Sequence, residues 1–435
     1  MFKDKRHMIE FGVGIALILS MLLFGILYNT DKAYANLGRI LVGGLIGYAL
    51  ARSAFGFAGT VNRACQTGST KLMKAVSLLF MLGAIVTSVM VLGGFSTAGL
   101  SHKNLTWGLV IGATLFGFGM AFTVCCASGV LTDLAESPIK GIFALLFMGL
   151  GAFLGMGLKK AEGMKWLNQP FLGIPGAVAD KTNPTTNLNF TDWFKWDGTG
   201  GILFSLILTA LLVAGVIALS NLYENFHKKR GTFIGCRSEI DYEEEKNTHV
   251  PSENKYNEAF YKTFVKPWSL TQGAVVIAIA YALLMIIFKS GWGVSGPIGQ
   301  WFARLLHLFG TPTEAITGFT GLGAAAIESP FFDNAMYIQD LSIFFGALIA
   351  FLFAGNFTRN VKGWLFNPLE LVLYAVGGII LGMGFTIAGG CNAGGLFTPI
   401  AQFGVSGWIY LVFLVIGGFG GNWVRKQWQK LYKNK

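Results

Sequence analysis

Charge is what this sequence has least of. Asp, Glu, Lys and Arg make up 13% of the 435 residues, where a soluble globular chain carries about 25%. A water-soluble enzyme of this length is excluded on that ground. Histidine (5) is scarce as well. No C-x-x-C pair occurs, so a dithiol redox motif is absent. No G-x-x-x-x-G-K-[ST] string occurs either, so the chain is not itself an ATP-driven pump. No stretch sustains the apolar–polar alternation of a barrel strand, which excludes a membrane β-barrel. The five cysteines, at 65, 125, 126, 236 and 391, do not form a disulfide framework: four lie in or beside apolar segments and Cys236 lies in a polar loop.

What is present is apolar surface and glycine. Hydrophobic residues make up 53%, with 38 Phe and 59 Gly, and mean hydropathy is +0.56. Repeated apolar runs of about 20 residues, each matched to a hydrocarbon core roughly 30 Å thick, predict an all-α polytopic membrane protein. Ten spans are expected: 9–28, 37–53, 72–95, 106–124, 139–158, 200–220, 270–288, 340–356, 368–387 and 406–424. The first follows a basic start, MFKDKRH. It reads as an uncleaved anchor rather than a signal peptide, because the run is long and no A-x-A-like site follows it directly.

The net charge of +11 sits in loops and tails, as the positive-inside rule requires, and does not suggest nucleic acid. It predicts that both termini are cytoplasmic. The loop 222–267, RNVK at 359–362 and the tail VRKQWQKLYKNK then lie inside, and the loop 159–199 lies outside. Within 222–267, the run DYEEEKNTHVPSENK (241–255) reads as a solvated linker.

Four stretches fit neither spans nor ordinary loops: 54–70 (AFGFAGTVNRACQTGST), 125–138 (CCASGVLTDLAESP), 290–309 (SGWGVSGPIGQWFARLLHLF) and 388–404 (AGGCNAGGLFTPIAQFG). Each is Gly-rich, moderately apolar and too short to cross. They suit re-entrant hairpins, whose irregular backbone is tolerated at depth only when buried in protein or lining a cavity. Residues 117–131 (GFGMAFTVCCASGVL) align with 382–396 (GMGFTIAGGCNAGGL). Gly117, Gly119, Cys126, Gly129 and Leu131 pair with Gly382, Gly384, Cys391, Gly394 and Leu396. A weaker pairing sets GFAG at 56–59 against GVSG at 293–296, with 311–338 as an insertion. Each half then reads span, hairpin, span, span, hairpin, span, and the two halves start from opposite sides. That is an inverted-topology repeat, whose substrate site is expected near the midplane at discontinuous helices. Cys126 and Cys391 would meet there. Glycines such as Gly129 and Gly390 let backbones approach and free amide N–H groups for an anion.

The expected organisation is an anchor helix (1–36), a first repeat (37–158), an extracytoplasmic loop with a linking helix (159–221), a cytoplasmic linker (222–267), a second repeat (268–424) and a basic tail (425–435). Asn62, Thr67 and Asn392 could bond an oxyanion or satisfy broken backbone. Arg63 could attract an anion or be an interfacial positive charge. Asp133 and Glu136 could couple protons or belong to a short headgroup-level helix.

The string GFAGTVNRACQTGSTKLM (56–73) and GMGFTIAGGCNAGG near the C-terminus resemble the YeeE/YedE family of bacterial inner-membrane proteins. The resemblance covers about 37–158 and 270–424. It implies two pseudo-symmetric halves around a narrow path lined by cysteine thiols, through which thiosulfate passes by S–H···S and S–H···O bonds. Carried over, Cys391 matches best, Cys126 matches through the first-half motif, and Cys65 is a third position. It also implies a cytoplasmic TusA-like sulfur-carrier partner. No cofactor and no metal are expected. The dipeptide Cys125-Cys126 leaves open which thiol faces the path. Alternatives are a transporter of another sulfur or selenium species, a soft-metal permease, and an intramembrane thiol oxidoreductase. The last is disfavoured because adjacent Cα atoms are about 3.8 Å apart, too close for a relaxed disulfide.

Overall fold

The computed structural model describes residues 5–28, 33–94, 100, 103–173, 188–248, 254–358 and 368–433. Among them, ten helical stretches are long and apolar enough to cross a membrane. Glycines lie at many of the contacts between these helices, as at Gly47 on Ile343 and Gly151 on Ile379. In lipid no hydrophobic force drives helices together, so close packing of small residues must do it.

The first half comprises α1 (Lys5–Leu27), α2 (Ala33–Arg52), α3 (Gly59–Thr67), α4 (Lys71–Leu92), α5 (Trp107–Thr123), α6 (Ala127–Glu136) and α7 (Pro138–Lys160). A short helix, α8 (Phe190–Trp193), leads to α9 (Ile202–Lys229), α10 (Arg237–Thr248) and α11 (Lys255–Phe260). The second half comprises α12 (Leu270–Phe288), α13 (Ser295–Leu308), α14 (Thr313–Thr320), α15 (Ala325–Glu328) and α16 (Ala335–Ala354). It ends with α17 (Pro368–Ala388), a π turn (Asn392–Phe397), α18 (Thr398–Ala401) and α19 (Val405–Lys433).

Each expected hairpin contains a short helix that does not cross: α3, α6, α13, and the π turn running into α18. They enter from two faces. Gly68, which ends α3, abuts His227 at the end of α9, and Ala121, shortly before α6, accepts from Arg425 near the end of α19 (2.8 Å). At the other face Lys160, ending α7, donates to the carbonyls of Thr317 and Gly318 just beyond α13. There too, Phe403 after α18 accepts the Phe190 N–H at 2.9 Å.

The packing carries the same exchange. α2 packs on α16 as α12 packs on α4; α7 packs on α17 as α19 packs on α5; α3 packs on α19 as α13 packs on α7. The self-related pairs α2–α12 and α5–α17 also pack. Helices α1 and α9 stand outside this scheme. Only 17% and 22% of their apolar windows are buried, against 72% for the stretch that begins with α5.

Two expectations need correction. The span placed at 340–356 begins at Ala335, where Asn334 caps α16 by accepting the Met336 N–H at 3.0 Å. Gln339 and Asp340 had interrupted the apolar pattern, and both lie inside the helix. The run 241–255 is also not simply a solvated linker. Its first part belongs to α10, whose Glu239 reaches Arg63 (3.2 Å) and Ser69 (2.6 Å) and whose Glu243 pairs with Lys71. A polar helix folds there because its carboxylates find cations and a hydroxyl on the hairpin beneath. The stretches 249–253 and 359–362 lie outside the described residues.

Candidate functional site

Two cysteines hold the same backbone position in the two halves. Cys126 precedes α6 with extended backbone (φ −117°, ψ −176°), and Cys391 precedes the π turn likewise (φ −91°, ψ −168°). In each case the preceding span is broken by a left-handed residue, Val124 (φ 59°) in the first half and Gly389 (φ 77°) in the second. The first amides of a helix have no intrahelical partner. One of those at α6 is spent on the thiol itself, since the Gly129 N–H donates to Cys126 Sγ at 3.4 Å. Ser128 Oγ lies 3.3 Å from the same sulfur. Both cysteines are 1% exposed. α6 packs on the π turn, and the two thiols are close enough to interact electrostatically. Tyr410 of α19 interacts with both and donates its hydroxyl to Gly390 O at 3.1 Å.

The glycines flanking the thiols differ in role. A Cβ added at Gly390 would meet Gly395 N at 2.7 Å, so this turn closes only around glycine. At Gly129 an added Cβ would make ordinary contacts of 3.5 Å with Cys125 and Cys126. Gly129 therefore contributes its amide rather than its lack of a side chain.

The structure separates Cys125 from Cys126. The Cys125 side chain lies within reach of Asp133, whereas the Cys126 thiol contacts Ser128 and lies within electrostatic reach of Cys391. A cavity of about 400 Å³ opens beneath Cys126, on the face that carries α10. Its lining includes Cys125, Cys126, Arg63, Asp133, Glu136 and Cys236. Cys236, from the polar loop, is thus brought to the cavity. Cys65 does not line it; that residue packs half-buried, beside Tyr223 of α9.

The polar candidates divide. Asn62 donates to Met120 O (2.9 Å) and accepts from Asn422 (2.8 Å), so it ties hairpin, α5 and α19 together. Thr67 donates to Arg63 O (2.8 Å) and accepts the Ser69 N–H (3.3 Å). Arg63 donates to Ala54 O (2.6 Å) and pairs with Glu239 (3.2 Å). Asn392 differs. Its Nδ2 faces only the Met120 thioether (3.4 Å), a weak acceptor, and its buried Oδ1 has no partner. It is the polar side chain beside Cys391 with bonding capacity to spare. Asn62 and Asn392, from opposite faces, thus converge on Met120.

Above Cys391, on the opposite face, stands a residue the motifs did not single out. Lys103 donates to Gly389 O at 2.9 Å and interacts with Cys391. Burial pulls its ammonium below the ordinary lysine value, and Cys391 acts the other way. Lys159, in the last turn of α7, lies within electrostatic reach of Lys103. The signal in sequence was a cation in the short loop before α5, unremarkable until the fold placed it over the thiol.

A family model described as sulphur transport matches residues 52–420. The chain is 24% identical over 390 residues to the thiosulfate transporter TsuA of Spirochaeta thermophila, covering 88% of this chain and 97% of that protein. It is 24% identical over 397 residues to TsuA of Escherichia coli, covering 89% and 94%. With the probable transporter YedE of Escherichia coli it shares 27% identity over 157 residues, 36% of this chain and 38% of that protein. With a matched region that takes in both thiol-bearing hairpins, the chain belongs to the sulphur transport family, the YeeE/YedE membrane proteins.

Proposed function

We propose that this protein is a permease for a small sulfur-containing anion, thiosulfate first, and that the anion crosses along the line Lys103, Cys391, Cys126 and the cavity below. The observation that carries the reading is the equivalent backbone break that places Cys126 and Cys391 at the starts of two packed hairpin turns, within electrostatic reach of each other. The relatives named thiosulfate transporters support the choice of substrate. The repeats 37–158 and 268–424 would then be the transporting unit, with the other segments accessory to it.

Neutral thiols suit this cargo. An S–H donates weakly to sulfur or oxygen and carries no charge to repel an anion. Weak sites in series let an ion enter and leave. The lysines at one mouth would concentrate anions, and Asn392 would add an amide at Cys391. The other mouth, lined by Arg63, Asp133 and Glu136, is where we read release. By the positive-inside rule we read that release mouth, α10 and both termini as cytoplasmic, and the family resemblance implies a bacterial inner membrane. A TusA-like carrier protein could collect the product there. Sulfite, sulfide and selenium analogues are the competing cargoes.

The test is uptake of labelled thiosulfate by cells lacking other sulfate and thiosulfate importers, at matched membrane expression. Wild type imports; Cys391→Ala and Cys126→Ala lose most of that import. Normal import by both variants would assign the thiols to packing. No import by folded wild type would move the search to the other sulfur and selenium species.

A further inference from the structure

One buried acid has no part in the path described so far. Asp340 lies in the second turn of α16, inside a predicted span, and is 0% exposed. Neither of its carboxylate oxygens has a hydrogen-bond partner. Among the described residues no cation stands within ion-pair distance of it. The groups that reach it electrostatically are Arg39 of α2 and the Cys391 thiol. Arg39 attracts it without an ion-pair contact: it donates to Gln339 Oε1 at 2.6 Å, lies over the Phe288 ring at 3.9 Å, and leaves its buried Nε without a partner. Gln339 in turn donates to Gly293 O (3.4 Å), and Gly293 abuts Gly394 of the π turn. Asp340 is therefore anchored one residue from a chain of contacts that ends at the thiol-bearing hairpin.

Other titratable groups on neighbouring elements face away. On α1, His7 bonds to Phe353 O and Glu10 to Thr358, at the far end of α16. Arg52 of α2 donates to Val265 and Lys266. Asp133 and Glu136 of α6 face the cavity. Arg304 of α13 bonds to Ala326 and Ser329, and Tyr337 bonds to Gln300.

A desolvated, unbonded carboxylate is costly to keep ionised. An anion at Cys391 would raise that cost further, because two like charges would then share one unsolvated region. We propose that Asp340 is the proton site of the transporter: a carboxylate oxygen binds one proton when the anion occupies Cys391 and releases it when the anion leaves. Anion and proton then cross together, and part of the dianion's charge is neutralised. This rests on the reading of Cys391 as an anion site.

The experiment is calorimetry of thiosulfate binding to the purified full chain in two buffers of different ionisation enthalpy. For wild type the buffer dependence should report about one proton taken up per anion bound. Asp340→Asn should bind with about none, and Asp340→Glu should restore the uptake. Wild-type binding with no buffer dependence would overturn the proton site while leaving the anion site standing. Unchanged proton uptake in Asp340→Asn would overturn it too. Absence of binding by folded wild type would overturn the anion reading and this inference with it. Should Asp340→Asn fail to fold, the wild-type buffer dependence and Asp340→Glu still decide.

Discussion

At the scale of single residues, the matched breaks are not made equally well. Gly389 adopts a left-handed backbone at little steric cost, but Val124 does so with a β-branched side chain, an arrangement that costs of order 1–3 kcal/mol. The Val124 side chain is 43% exposed, so little packing compensates for it. Val124→Gly should stabilise the protein by about 1 kcal/mol, read as a higher melting temperature in detergent. An unchanged or lower value would mean that the valine contributes contacts worth more than its strain. The same scale shows why Asn62 and Asn392 diverge despite similar surroundings. One amide is used at both ends by backbone and side-chain partners, and the other is not.

At the scale of elements, the motif glycines prove to be packing devices placed symmetrically. A Cβ at Gly117 would sit 2.1 Å from Leu414 O, pressing α5 against α19; at Gly382 it would sit 2.1 Å from Met148 O, pressing α17 against α7. These positions are aligned in the two halves, and so are their contacts. Gly382→Ala should separate α17 from α7 and destabilise by about 1–3 kcal/mol, the usual cost of overpacking. Thermal denaturation of the purified variant measures it, and a loss under a few tenths would show that the helices can slide apart freely. The hairpin glycines were legible as irregular backbone from sequence. Their division into amide donor (Gly129) and steric necessity (Gly390) was not, because it depends on what crosses the turn.

At the scale of the whole molecule, charge is arranged along the proposed path. Lys103 and Lys159 stand at one mouth, and Asp133, Glu136 and the Arg63–Glu239 pair at the other. Long-range steering acts on encounter and is screened by salt. Lys103→Met should therefore lower kcat/KM for uptake about tenfold at low ionic strength, with the gap narrowing as salt rises. Vesicle uptake at two salt concentrations checks it. A gap that ignores salt would point to direct coordination rather than steering. The docking of α10 beside the cavity belongs to this scale as well. A polar, highly charged run reads as solvent-facing until the cations beneath it are known.

The sequence by itself pointed to the class, most of the spans, the four broken stretches and the alignment of Cys126 with Cys391. All of these follow from local composition: hydrocarbon thickness sets span length, glycine marks broken backbone, and a repeat is visible as a repeat. Only the tertiary structure decided which groups are satisfied and which are not. It put Cys126 beside Ser128 and Cys125 within reach of Asp133, placed Cys65 beside Tyr223 rather than in the cavity lining, brought in Cys236 and Lys103, and left Asp340 buried with no hydrogen bond. The physical reason is that hydrogen-bond satisfaction and electrostatic neighbours are properties of groups far apart in the chain. Arg39 and Gln339 meet across 300 positions, and Asn62 and Asn422 across 360.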